Sequence, residues 1–213
     1  MGYFSSTDGK VHISAVHYLR QSDPVMNKLV KAIGVFRVPR EAQTFRTLAE
    51  AIMSQQISGK AAASIIKRFR LLAPHRRFPR PEDVVAFSAR QMRGAGLSRA
   101  KVTYIKDLAR KTLSGYVAIR TLHTLSDEEV ITHLIQVKGI GRWTAEMFLM
   151  FAMGRPDVFP TDDLGIQNAL IRAYRLRKRP TKKRMLQIAN GWRPYRTLAS
   201  LYLWRSVDQV MGG

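Results

Sequence analysis

Apolar residues recur along the chain at helical spacing, in short runs separated by polar breaks. Asp23-Pro24 reads as an N-cap followed by proline at the first helical position; Val25, Leu29, Val30 and Ile33 form a stripe behind it, and Gly34 stops the run. Phe45, Leu48, Ala49 and Ile52 repeat the pattern over 44–53, up to a break at Ser54-Gln55-Gln56, after which Ser58 caps a helix over 59–71. Pro74, Pro79 and Pro81 mark a loop, and Pro81 opens a short helix. A further short helix reaches Met92 and ends at Gly94 and Gly96, and Ser98 caps 99–113. Ser126 and Glu129 stand at capping-box spacing ahead of Val130, Leu134 and Ile135. Segments 144–153, 163–175, 181–189 and 195–210 complete the set. No stretch alternates cleanly, so the expected fold class is all-α, with short connections and no internal repeat. At 213 residues, 46% of them hydrophobic, one globular domain over 1–213 is expected.

Charge narrows the class of partner. Thirty-six Lys and Arg face fifteen Asp and Glu, a formal net charge of +21. Such self-repulsion calls for a polyanion, with nucleic acid first and an anionic membrane surface second. The densest basic run, RLRKRPTKKR over 175–184, reads as a solvated face or a loop touching phosphates. Cysteine is absent, which excludes disulfides, thiolate nucleophiles, Cys-ligated zinc and iron–sulfur clusters. The five His form no H-x-x-x-H pair. MGYFSSTDGK at the N-terminus holds no long apolar run, so neither a signal peptide nor a membrane anchor is expected.

Candidate chemistry concentrates in 134–167. Val137-Lys138-Gly139-Ile140-Gly141 joins two apolar helical patterns. Glycines one residue apart permit a tight turn and close approach of another molecule, and the next helix, starting near Arg142, would offer its first amides to a phosphate. An ordinary glycine-closed helix corner accounts for the same letters. Asp162-Asp163 precedes LGIQNALIRAY. Either carboxylate could cap that helix, or act on a substrate, or one could do each.

LIQVKGIGRWTA (134–145), followed by a helix and PTDD (160–163), resembles the helix-hairpin-helix DNA glycosylase superfamily. Within it, AIMSQQISGKAA (51–62), GLSRAK (96–101) and WRPYRTLA (192–199) are similar to the DNA-3-methyladenine glycosylase II family, and the matches span about 45 to 205. The resemblance implies a two-lobed helical fold, a helix-hairpin-helix over about 126–153, and an active site in the cleft between lobes. It implies excision of alkylated bases of the 3-methyladenine type from duplex DNA, in base excision repair. Such bases already carry positive charge and leave readily, so one carboxylate suffices for the oxocarbenium-like sugar. By resemblance that carboxylate is Asp163. Bifunctional relatives place a lysine where Trp143 stands; an indole offers no amine, so a monofunctional, water-using enzyme is expected.

The resemblance further implies a base pocket of Trp143, Met147, Asp162 and Trp204. Trp192 is read as packing. DNA contacts are expected at Gln55, Gln56, Ser58, Lys138, Gly139, Gly141, Arg142 and Thr144, with Gln56 as the residue that fills the gap left by the extruded nucleotide. The alternative for Gln55 and Gln56 is that they satisfy backbone groups at a helix break. Backbone carbonyls of Ile135, Val137 and Ile140 would hold a structural monovalent cation, Na+ or K+, with no cofactor needed for catalysis. The compact form, lacking the N-terminal β-sheet domain of some relatives, is expected to act as a monomer wherever DNA resides: cytoplasm and nucleoid in a prokaryote, nucleus in a eukaryote. The remaining alternatives are a non-catalytic helix-hairpin-helix DNA-binding protein, a bifunctional glycosylase/lyase, and a basic helical protein for RNA or membranes.

Overall fold

The computed structural model describes residues 13–36, 41–42, 44–119 and 121–211, and among these every regular element is helical. The N-terminal decapeptide read for sorting signals lies outside them. In chain order the α-helices are α1 (Ile13–Ser22), α2 (Pro24–Ile33), α3 (Phe45–Ser54), α4 (Gly59–Arg70), α5 (Pro81–Ala86), α6 (Ala89–Gly94), α7 (Arg99–Leu113), α8 (Asp127–Ile135), α9 (Arg142–Met147), α10 (Leu164–Ala173), α11 (Lys182–Ala189) and α12 (Arg196–Met211). The all-α expectation holds. Two elements differ from the sequence reading. Helix α1 was not anticipated, and the apolar run 144–153 is α9 followed by a wider π-helical stretch, Phe148–Ala152. Among the described residues no helix is long and apolar enough to cross a membrane.

The chain divides into two compact units, Met1–Arg40 with Leu149–Gly213, and Glu41–Phe148. The first has a core of Ala15, Val16 and Leu19 from α1, Met26 and Val30 from α2, Ile166, Ala169 and Leu170 from α10, and Leu198, Ala199, Tyr202 and Leu203 from α12. Asp23 ties this unit together. One carboxylate oxygen caps α2, accepting from Val25 N (2.7 Å) and Met26 N (3.3 Å). The other accepts from the Tyr174 hydroxyl and, at 3.0 Å, from the indole nitrogen of fully buried Trp192. Burial and the Asp23 contact push the Tyr174 hydroxyl's pKa far above its ordinary value.

In the second unit α7 is central, packing against α3, α5 and α6. Its buried face carries Val102, Ile105, Leu108 and Ala109, against a core that includes Leu48, Ile52, Met53, Phe69, Val84 and Met92. The capping box predicted at α8 forms: Ser126 Oγ accepts from Glu129 N (3.4 Å) and Glu129 Oε2 accepts from Ser126 N (2.8 Å).

Candidate active site

The turn between α8 and α9 is closed by its own backbone: Val137 N donates to Leu134 O and Ile140 N to Val137 O, each at 3.0 Å. Val137 and Ile140 are buried and anchor it, leaving Lys138 and Gly141 exposed. Gly139 adopts φ 83°, and a Cβ there would stand 2.2 Å from a ring carbon of Tyr104 on α7. Only glycine meets both conditions. Gly141 is the N-cap of α9 and brings no side chain, so no side-chain cap covers the first amides of that helix.

Helix α7 supports the turn from below. Asp107 Oδ2 accepts from Lys138 N (2.9 Å) and from Lys111 Nζ (2.8 Å), and Lys111 Nζ also donates to the Gln136 carbonyl. Burial tends to raise the Asp107 pKa. The Lys111 and Lys138 hydrogen bonds and charges outweigh it, and the carboxyl sits below its ordinary value. Arg142, expected on DNA, is engaged by two carboxylates: Nη1 donates to Glu128 Oε2 (3.0 Å) and Nε to Glu146 Oε1 (3.1 Å). Thr144 is buried.

The structure separates the two glutamines after α3. Gln55 Nε2 donates to Gly139 O at 2.8 Å, joining the α3 end to the hairpin. Gln56 is exposed and holds φ 58°, the left-handed region where a non-glycine residue is strained. The reading as backbone satisfaction therefore fits Gln55, and a projecting side chain fits Gln56. Ser58 caps α4, accepting from Ala61 N (3.3 Å). Lys101 Nζ donates to Met53 O (2.7 Å) and Gln55 O (2.8 Å), the carbonyls that the end of α3 leaves without helical partners. Desolvation by burial lowers the Lys101 pKa.

In the other unit the chain turns at Pro160–Asp163, with Asp163 N donating to Pro160 O (3.2 Å). Asp163 is the N-cap of α10, and its Oδ1 accepts from Ile166 N (2.7 Å) and from the Trp204 indole nitrogen (2.8 Å). A Cβ at Gly165 would lie 3.0 Å from both Asp163 Oδ1 and Trp204 Cδ1, so glycine there lets the indole reach the carboxylate. The Trp204 ring stacks on Phe151 of the π-helical stretch, centroids 6.3 Å apart and planes 21° apart. The π stretch thus belongs to the support of the carboxylate. Asp162 points elsewhere, to Lys182 Nζ at 2.6 Å.

The approach to this turn is pinned. Thr197 Oγ1 accepts from Val158 N (2.9 Å) and donates to Arg155 O (2.7 Å), while Arg196 donates to both Asp157 carboxylate oxygens, Nε at 2.7 Å and Nη2 at 2.9 Å. The segment 192–199 works through these bonds and through Trp192, which packs as expected. Trp143 is 44% exposed on α9, and Met147 is half-buried one turn on. Sequence reasoning missed Lys101, Tyr104, Asp107 and Gly165. The first was visible only as the last letter of GLSRAK.

A carboxylate with one oxygen fixed by two N–H donors has a set orientation, able to face a developing cation or receive a proton from water. The family model described as HhH-GPD superfamily base excision DNA repair protein matches residues 49–194. The chain belongs to this superfamily. It is similar to DNA-3-methyladenine glycosylase 1 of Schizosaccharomyces pombe, 37% identical over 206 residues, covering 95% of this chain and 88% of that one. Among solved HhH-GPD-type structures, 3-methyladenine DNA glycosylase of Schizosaccharomyces pombe in complex with abasic DNA superposes with a TM-score of 0.80 at 38% identity, covering 92% of this chain and 97% of that one. A DNA-3-methyladenine glycosidase from Bacillus halodurans superposes with a TM-score of 0.84 at 32% identity, over 97% and 92%.

Proposed function

We propose that this protein is a monofunctional DNA glycosylase that extrudes alkylated bases of the 3-methyladenine type from duplex DNA and removes them by hydrolysis, the first step of base excision repair. The observation that carries it is the Asp163 carboxylate, held through Oδ1 by Ile166 N and the Trp204 indole. In 3-methyladenine the bond from sugar C1′ to N9 breaks and its electron pair returns to the cationic base, which leaves neutral. Asp163 stabilises the oxocarbenium-like sugar and orients a water; the water oxygen bonds to C1′ and its proton passes to the carboxylate. The product is an abasic sugar. Position 143 is an indole, with no amine to attack C1′ in place of water.

The target base must leave the stack before this chemistry. Gln56 is the wedge, supported by its exposed, strained turn. The aromatic face of Trp204 receives the base by stacking in the unit that holds Asp163, where Asp162 shapes the site from its ion pair with Lys182; on α9, Trp143 offers an aromatic face of its own, with Met147 one turn on. Phosphate contact falls to the hairpin amides of Gly139, Gly141, Arg142 and Thr144 and to the Lys138 side chain, with Ser58 near the wedge turn. Gln55 acts indirectly, by fixing the Gly139 carbonyl. A monovalent cation fits the hairpin carbonyls: among the described residues the Ile135 and Ile140 oxygens accept no backbone hydrogen bond outside the helices, while Val137 O takes Ile140 N. Replacing K+ by tetramethylammonium at fixed ionic strength should weaken duplex binding, and unchanged affinity would remove the ion.

The deciding experiment measures release of methylated purines from methylated duplex DNA. Free 3-methyladenine and an abasic strand are expected, with no adduct trapped by borohydride. A trapped adduct assigns a lyase; no base released returns the protein to the non-catalytic DNA-binding class.

A further inference from the structure

One face of α7 touches both DNA-contact turns. Lys101, Tyr104, Asp107 and Lys111 follow each other at spacings of three and four residues, which places them along one side of the helix. Lys101 holds the two carbonyls that lead into Gln56. Tyr104 fills the space that a side chain at position 139 would need. Asp107 and Lys111 hold Lys138 N and Gln136 O on the other side of the hairpin. Gln55 then closes the circuit by donating to Gly139 O.

We propose that Lys101 is a positioning residue for base extrusion: it sets the turn that presents Gln56 and, through α7, couples that turn to the hairpin backbone. The proposal rests on reading Gln56 as the wedge. The Gln55 carbonyl belongs to the peptide that enters the left-handed Gln56, so the bond from Lys101 acts directly on the strained unit. An ammonium suits the place, since carbonyls at a helix end carry partial negative charge. A methionine of similar length would fill the space without donating.

The test is a double-mutant cycle read as single-turnover release of methylated purines, from duplex DNA and from the same strand single-stranded. Lys101→Met should slow duplex release roughly tenfold or more and leave single-strand release within about twofold, because an unpaired base needs no wedge. Lys101→Arg should recover part of the loss. In the Gln56→Ala background Lys101→Met should add little further loss. If Lys101→Met lowers the melting temperature enough to obscure the rates, Lys101→Gln, a neutral donor to one carbonyl, carries the same comparison. Equal losses on both substrates, no loss, or a full multiplicative loss with Gln56→Ala would each overturn the role of Lys101. Duplex release by Gln56→Ala at the wild-type rate would overturn the wedge and Lys101 together, while leaving the glycosylase assignment standing on the wild-type activity.

Discussion

Oδ1 of Asp163 takes both the Ile166 N–H and the Trp204 indole N–H, at 2.7 and 2.8 Å. The capping role is thus met by the same carboxylate that we propose for the chemistry, so the two readings, alternatives in the sequence, are compatible in one residue. Asp163→Asn keeps an acceptor at Oδ1, removes the charge and replaces the second carboxylate oxygen by an amide NH2. It should fold with stability within about 1 kcal/mol of wild type and bind duplex DNA, while base excision falls roughly a hundredfold or more. Trp204→Phe tests the other half of the pair. Phenylalanine keeps a ring to stack on Phe151 but donates nothing to Asp163, so single-turnover excision should fall about tenfold. A rate equal to wild type would mean that stacking is the whole contribution of Trp204. Lys101 and Asp107 escaped the sequence reading for a shared physical reason. Each acts on backbone atoms, and a carbonyl or amide partner leaves no residue letter at matching spacing. For Lys101, charge-assisted hydrogen bonds of about 1.5–3 kcal/mol each can outweigh about 1–2 kcal/mol for a left-handed Gln56.

At the scale of elements, what could be read was whatever punctuation marks: capping serines at positions 58, 98 and 126, prolines at 24 and 81, and glycines at 34, 139 and 141 all stand where the structure turns. Helix α1 lacks such marks. Val11 and His12 ahead of it are not capping residue types, and Ala15, Val16 and Leu19 make a narrow buried stripe on ten residues. The π stretch was unreadable because FLMFA is apolar on all sides, leaving no polar face to show where the helical register widens. The hairpin, by contrast, yields a prediction from its geometry. Gly139→Ala places a methyl group at φ 83° and against the Tyr104 ring. The conformational strain and the displaced ring together should cost about 2–4 kcal/mol, seen as a lower melting temperature, and duplex affinity should fall as the turn shifts. Gly139→Ala in a Tyr104→Ala background removes the clash and keeps the dihedral strain. A melting temperature that does not recover relative to Tyr104→Ala alone would assign the cost to φ instead of packing.

For the whole molecule, a net charge of +21 is carried largely by side chains that no carboxylate neutralises. In the run 175–184, Arg175, Arg177, Lys178, Arg179, Lys183 and Arg184 are exposed and form no ion pair with described residues, whereas Lys182 pairs with Asp162. Three cations also open α11, with no acidic residue in its first turn, an arrangement the helix dipole disfavours. Such a surface gains most when counterions leave a polyanion. If about six phosphates are neutralised, the plot of log affinity against log salt should have a slope near −5, a loss of on the order of a thousandfold from 50 to 200 mM. Asp163→Asn should show the same slope, because on the proposed mechanism the charge it removes serves the sugar and not a phosphate. Single-turnover excision at saturating enzyme should instead be nearly flat with salt, since the bond-breaking step begins from bound DNA and releases no further ions. A shallow binding slope would overturn phosphate-dominated binding. A steep dependence of the saturated rate would place part of the charged surface in the extrusion step, where ions are taken up or released after the duplex is already held.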